Sequence, residues 1–118
     1  MTPEEFAFVV EHQTRTCIDM LTAKADEYAT DDDRLHNFKV AAGLQDVSAA
    51  QALAGMMAKH TVSIYDMIEA RDQSYPDELW IEKITDHINY LILLRAIITE
   101  QKVYEMTIAN PMTPQGLK

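Results

Sequence analysis

Glycine and cysteine are scarce in this chain, which has three glycines and one cysteine among its 118 residues. The glycines, at positions 43, 55 and 116, are too far apart for a phosphate-binding loop or a dinucleotide fingerprint. No serine stands between glycines in the pattern of a nucleophile elbow, so a nucleophilic triad is not indicated. Cys17 has no second cysteine with which to form a disulfide or a cysteine-based metal site, and this favours a reducing, cytoplasmic setting.

Basic residues are also few, with 10 Lys and Arg against 19 Asp and Glu and a formal net charge of −9. This balance argues against a broad basic surface that binds nucleic-acid phosphates. The first twenty residues carry Glu4, Glu5 and Glu11 where a secretory signal would have a basic region and an apolar core. The longest apolar run, residues 90–98, contains Arg95 and is too short to cross a bilayer. We therefore expect a cytoplasmic protein that does not insert into a membrane.

The residues that are frequent favour helix, since the chain is 47% apolar and shows almost no strand-type alternation. Thr2 followed by Pro3 is typical of a helix start, with Thr2 as the N-cap and Pro3 in the first turn. Apolar residues at helical spacing continue from there. The sequence predicts a first long helix over about residues 3–29.

A short helix and a second long helix are predicted next. Asp33 is placed to cap a short helix over residues 34–42, and Gly43 is expected to end it. Ser48 is expected to cap a second long helix whose apolar stripe extends to about residue 71.

The third long helix is predicted to begin at Asp77 and Glu78, whose charges suit the positive end of a helix, and to continue to about residue 105. The predicted fold class is therefore all-α, a bundle of three long helices plus one short helix. We expect a single helical domain over residues 1–108 and a flexible tail over residues 109–118, where proline and glycine interrupt the pattern.

The third long helix also suggests assembly. Residues 80–98 carry apolar side chains on more than one face of the helix, and one small chain has few other helices to cover them. We expect a homodimer or homotetramer built around this helix, with Leu94 in the contact between copies. The alternative is a monomer in which the other helices surround it.

Three polar residues recur on one face of the same helix, because Glu82, Asp86 and Asn89 are four and then three residues apart. Carboxylates at helical spacing can bind Mg²⁺ together with water and phosphate oxygens. The alternative is that the acids are solvated or paired with lysines such as Lys83. Asn89 lies where the helix becomes apolar, a position suited to a ligand or a neighbouring backbone group.

Two further groups could contact a nucleotide. Lys59 and His60 lie beside apolar residues of the second long helix, so Lys59 could bind a phosphate and His60 a base, a ribose or a proton in transfer. The structural alternative makes His60 a hydrogen-bonded core residue and lets Lys59 extend to solvent. Arg34 and Asn37 precede Phe38 within one turn, so they place cationic and amide donors beside a phenyl ring.

Four segments carry a resemblance to a known family: KADEY at 24–28, RLHNF at 34–38, GMMAKH at 55–60 and EKITDHINYLILL at 82–94. Their order resembles the all-α nucleoside triphosphate pyrophosphohydrolase superfamily, the MazG-like proteins, and in particular the short versions encoded by phages and prophages. The resemblance covers roughly residues 20–98. It implies that the metal ligands are Glu27, Glu82 and Asp86, and that Lys59 and Asn89 face the nucleotide.

The expected function is Mg²⁺-dependent hydrolysis of a nucleoside triphosphate to a monophosphate and pyrophosphate. Acids would hold Mg²⁺, and Lys59 would offset the charge that develops in the reaction, with His60 as the second catalytic candidate. Arg34, Asn37 and Asn89 are the expected nucleotide-binding residues. The alternative is a non-enzymatic, phage-type interaction protein that binds a host factor or a signalling nucleotide.

Overall fold

The computed structural model describes residues 1–28, 33–70 and 74–109, and only the backbone for residues 24–28. These parts of the chain form four helices and no strand: α1 (Pro3–Tyr28), α2 (His36–Gln45), α3 (Ala49–Glu69) and α4 (Asp77–Ala109). The all-α class and the helical bundle predicted from the sequence are confirmed. The expected tail lies almost entirely outside the described residues. Across the parts described, no helix combines the length and the apolar character that crossing a membrane requires.

Side-chain caps begin two of these helices, as the sequence predicted. The hydroxyl oxygen of Thr2 accepts a hydrogen bond from the backbone N–H of Glu5, at 3.1 Å. The Ser48 hydroxyl accepts from the backbone N–H of Gln51, and the Gln51 side chain accepts from the backbone N–H of Ser48. This reciprocal pair satisfies two N–H groups that would otherwise lack partners at the start of α3.

Helix α2 differs from its prediction at both ends. It begins at His36, and the carboxylate of Asp33 accepts from the backbone N–H of Leu35 in the turn before it. Gly43 does not end the helix, which continues to Gln45. Asp46 provides the stop instead, because it adopts the left-handed conformation with φ 55° and its N–H donates to carbonyls of the last turn. Aspartate tolerates this conformation better than most residues, so no glycine is required there.

Helix α4 is central to the bundle, with α1 and α3 packed along it in opposite directions. Helices α1 and α4 are joined by two contacts, Gln13 with Thr85 and Cys17 with Asn89. From the first contact to the second, each helix advances by four residues, so the two helices run parallel. His60 of α3 contacts Tyr90, whereas the start of α3 lies near residues 100–101 of α4, so this pair is antiparallel. Helix α2 packs mainly on α3.

The hydrophobic core joins α2, α3 and α4 through Leu35, Phe38, Leu53 and Ile97. Leu94 packs against this cluster. It was expected at a contact between copies, and in the single chain it is half-buried against the chain's own core.

Candidate functional site

A cavity of about 170 Å³ lies against the middle of α4, and all four helices or their adjoining turns contribute to its wall. Its lining combines apolar and aromatic side chains with four polar ones: Leu21, Arg34, Asn37, Phe38, Met56, Asp86, Asn89, Tyr90 and Leu93. An apolar cavity of about 150 Å³ is large enough for benzene, so this one can hold a single flat ring system. A complete drug-sized ligand needs about 300 Å³ or more. The rest of a larger ligand would therefore extend beyond the cavity.

Asn89 is the buried polar residue of this cavity, with only 6% of its surface exposed. Its amide nitrogen donates a hydrogen bond to the backbone carbonyl of Cys17, at 3.3 Å. Its amide oxygen has no hydrogen-bond partner among the described residues. A buried oxygen without a partner costs about 1–3 kcal/mol. The orientation of the amide is determined by Cys17, since rotating it by 180° would set two carbonyl oxygens against each other. Asn89 therefore carries an unpaired, buried acceptor in a residue that lines the cavity.

Polar side chains of α1 and α4 form further contacts next to the hydrogen bond between Asn89 and Cys17. The amide nitrogen of Gln13 donates to the hydroxyl of Thr85 at 2.7 Å and lies 3.4 Å from the sulfur of Cys17. Thr85 and Cys17 are both buried. Because each of these groups satisfies another, the network sets the register of α1 against α4 and keeps the Cys17 carbonyl in place for Asn89.

Aromatic rings form another part of the wall. Tyr90 contacts the ring of Phe38 edge-on, with centroids 6.4 Å apart, and the imidazole of His60 at 4.9 Å. Burial raises the pKa of the Tyr90 phenol above its ordinary value, and the nearby negative charge of Asp86 raises it further. The folded state therefore disfavours the phenolate of Tyr90, whose ring forms part of the cavity wall.

The rim of the cavity is more open, with Arg34 partly exposed and Asn37 exposed. Both belong to the segment that leads into α2, and this segment is tied to α4 by Lys39. The Lys39 ammonium lies 2.7 Å from the carboxylate of Asp33 and 2.8 Å from that of Glu100.

These ion pairs shift the pKa values of Asp33 and Lys39. The hydrogen bond from Lys39, followed by that from the Leu35 backbone, lowers the pKa of Asp33. The hydrogen bonds to Asp33 and then to Glu100 raise the pKa of Lys39. The pairs are exposed to solvent, so they contribute orientation more than stability.

The structure brings together four of the predicted site residues, Arg34, Asn37, Asp86 and Asn89, around one cavity. Glu82 does not join them. It is exposed and lines a separate, open groove between α1 and the beginning of α4, although it stands only one turn before Asp86. The two acids expected to share a metal therefore border different depressions.

Two other predicted residues, Lys59 and His60, do not line the cavity. Lys59 is exposed and does not line the cavity, while His60 is half-buried and contacts Tyr90, which does line it. The side chain of Glu27 lies outside the described residues. Among the side chains that are described, no three His, Cys, Asp or Glu residues form a group that could hold a metal ion.

Four residues that line the cavity were not predicted from the sequence: Leu21, Met56, Tyr90 and Leu93. Tyr90 had a usable signal, because an aromatic residue directly follows the amide of Asn89 at the start of the apolar run. The aliphatic members had none, since their spacing is that of ordinary core residues.

No protein-family model, curated protein or solved structure matches the chain. Functional inference therefore depends on the cavity itself, because a helical bundle alone does not define an activity. The cavity offers a buried acceptor, aromatic faces, an amide and a cationic group at its rim, and one carboxylate.

Proposed function

We propose that the chain is a nucleotide-binding protein in which the cavity receives the base. The observation that carries this proposal is the buried amide oxygen of Asn89, which has no partner among the described residues. A nucleobase carries N–H groups in the plane of its ring, so it can donate to Asn89 while its faces contact Tyr90 and Phe38. Stacking on aromatic side chains stabilises a bound base by about 1–3 kcal/mol.

The size of the cavity supports the same assignment. At about 170 Å³ it matches a base and leaves ribose and phosphates outside. Arg34 lies at the rim, where its guanidinium can form paired hydrogen bonds with phosphate oxygens. The chain has a net charge of −9, so a phosphate group would gain most from this local cationic residue and from a divalent cation.

The proposal includes hydrolysis of a nucleoside triphosphate to a monophosphate and pyrophosphate, as in the family that the sequence resembles. Asp86 is the acid that borders the cavity, and Glu82 and Glu27 are the further proposed ligands of Mg²⁺. Bound Mg²⁺ would neutralise phosphate charge and lower the pKa of a bound water. Lys59 and His60 remain the proposed catalytic residues. We place this function in the cytoplasm and assign it to a homodimer or homotetramer.

Thermal unfolding with a set of nucleoside triphosphates tests the binding step. A ligand at 100 times its Kd stabilises the folded chain by about 2.7 kcal/mol. We expect at least one nucleotide to raise the Tm of the wild type and to have no effect on Asn89→Leu. Gln101→Leu is the matched control, because it removes an exposed amide from the same helix outside the cavity, and it should respond like the wild type. If no nucleotide shifts the wild type, the proposal is wrong.

A second candidate is a non-enzymatic, phage-type interaction protein that binds a host factor or a signalling nucleotide. Exposed apolar side chains on α3, at Val62, Tyr65 and Ile68, favour it because they offer a surface to a protein partner. Release of pyrophosphate separates the two functions. Mg²⁺-dependent release from the nucleotide that binds supports the enzyme, whereas binding with no release supports the second candidate.

A further inference from the structure

Lys39 of α2 joins two separate parts of the chain. Its ammonium lies 2.7 Å from the carboxylate of Asp33, in the turn before α2, and 2.8 Å from the carboxylate of Glu100 on α4. The other carboxylate oxygen of Asp33 accepts from the backbone N–H of Leu35, at 2.9 Å. A continuous chain of polar contacts therefore leads from α4 to the backbone of this turn.

Two residues of the cavity lie between these contacts along the chain. Arg34 and Asn37 fall between Asp33 and Lys39, the two ends of the segment 33–39, which we name the rim segment. Lys39 itself does not line the cavity. Its effect on a ligand in the cavity would therefore act through the position of Arg34 and Asn37.

The apolar residues of the rim segment hold it against the core without fixing its orientation. Leu35 and Phe38 are buried, and Phe38 contacts Tyr90 edge-on. Apolar burial is non-directional, whereas charge-assisted hydrogen bonds are short and have a defined geometry. Glu100 lies ten residues beyond Tyr90 on α4, which is about 15 Å along a helix. The contact of Lys39 with Glu100 therefore opposes rotation of the rim segment about its apolar anchor.

These ion pairs are exposed, with 42% of the Lys39 side chain and 52% of the Glu100 side chain accessible to solvent. Exposed pairs contribute little to global stability, so their removal should leave the chain folded. The position of the rim segment and the stability of the bundle can therefore be measured separately.

We infer that Lys39 is a positioning residue for the proposed nucleotide site: by pairing with Asp33 and Glu100, it holds Arg34 and Asn37 where a ligand of the cavity meets them. This inference rests on the proposed function. If the rim segment adopts the competent position for only part of the time, the apparent Kd rises in inverse proportion to that fraction. Loss of either pair should thus weaken binding, although neither Lys39 nor Glu100 lines the cavity.

Isothermal titration of Glu100→Gln separates positioning from simple charge. The probe is whichever of ATP, GTP, CTP and UTP raises the Tm of the wild type most in the presence of Mg²⁺. Removing a negative charge would by itself strengthen the binding of an anion. We expect Glu100→Gln to bind about five-fold more weakly instead, the upper end of what an exposed ion pair contributes. Glu105→Gln is the matched control, with the same charge change at an exposed position of α4 outside the cavity, and it should not weaken binding.

The outcomes of this titration distinguish the inference from the proposed function. An unchanged or stronger affinity of Glu100→Gln would overturn the inference and leave the proposed function intact. If none of the four nucleotides binds the wild type, the proposed function fails, and the role of Lys39 in binding fails with it.

Variants of Lys39 separate positioning from a merely structural role. Lys39→Gln should weaken binding at least as much as Glu100→Gln, while the Tm of the ligand-free chain shifts by about 4 °C or less. Lys39→Arg should restore the affinity, because a guanidinium can also pair with two carboxylates. A loss of affinity that Lys39→Arg does not reduce, or one accompanied by a larger fall in Tm, would overturn the inference.

Amide hydrogen exchange tests the same contacts without a ligand. The backbone N–H of Leu35 donates to Asp33, and that of Lys39 donates to the carbonyl of Leu35. We expect both amides to exchange faster in Lys39→Gln than in the wild type. Lys102→Gln, which removes an exposed cation of α4, is the control and should exchange like the wild type. Equal exchange in all three proteins would show that the ion pairs do not hold the rim segment and would overturn the inference.

Discussion

The side-chain amide of Asn89 on α4 donates to the backbone carbonyl of Cys17 on α1, and this contact fixes which way the amide of this cavity-lining residue is turned. Four residues earlier on each helix, Gln13 donates to Thr85. The two contacts together align the helices and orient the acceptor. The stability of this interface and the capacity of the cavity to bind a donor are therefore linked through one residue.

Replacing Asn89 with aspartate introduces a group that can ionise while the shape of the side chain stays nearly the same. In Asn89→Asp the carboxylate would be buried next to the Cys17 carbonyl, so the pKa of the new side chain should rise above that of an exposed aspartate. The folded state then prefers the neutral acid. Its stability is fully present below the unfolded-state pKa and is lost as the pH rises through the higher folded-state pKa.

We expect Asn89→Asp to be less stable than the wild type by about 3 kcal/mol at pH 7, the order of magnitude for an uncompensated buried charge. The difference should shrink toward pH 4. Urea unfolding across this pH range measures it, with Asn89→Leu as the control that cannot titrate. A deficit that is the same at pH 4 and pH 7 would show that the carboxylate reaches solvent.

Tyr90 gives a second pH dependence at the same site. Its pKa is raised above 10.0, first by burial and then by Asp86, so the folded state disfavours the phenolate. The corresponding stability is present below pH 10 and is lost as the pH rises through the folded-state pKa. Tyr90→Phe should remove this part of the alkaline loss and keep the contacts with Phe38 and His60.

Ultraviolet absorbance of the phenolate checks the Tyr90 prediction. The wild type should contain a tyrosine that ionises above the ordinary pH range of a phenol, and Tyr90→Phe should lack it. Tyr65→Phe serves as the control and should retain the late-ionising tyrosine. If the late-ionising tyrosine persists in Tyr90→Phe, another residue is responsible and Tyr90 is not desolvated as described.

The sequence predicted local features of the fold better than tertiary ones. Ser48 was identified as a helix cap because hydroxyl capping depends only on residues within one turn. The stop of α2 was wrong, since Gly43 is a good C-terminal residue in isolation but Asp46 occupies the left-handed position. Leu94 was expected at a contact between copies, and its packing on the chain's own core was not foreseen. An apolar residue on a helix with several apolar faces gives no indication of which neighbour covers it.

In the candidate site, too, local features were predicted from the sequence and tertiary ones were not. Asn89 was selected because an amide at the start of an apolar run requires a partner, and the structure leaves its oxygen without one among the described residues. Arg34 and Asn37 were selected from a separate segment. Their meeting with Asn89 depends on the packing of Phe38 against Tyr90, which no local pattern encodes. The divergence of Glu82 from the cavity likewise depends on where α1 crosses α4.

The central claim is that the Asn89 oxygen accepts a hydrogen bond from the bound base. Isothermal titration tests it most directly, using the nucleotide that raises the Tm most and an analogue whose base lacks the donating group, such as purine in place of adenine. An unpaired buried acceptor costs about 1–3 kcal/mol, so the analogue should bind the wild type about 5–150 times more weakly. Asn89→Leu should bind both ligands with similar, low affinity. Equal affinity of the wild type for the nucleotide and for every analogue that lacks a single base donor would contradict the account.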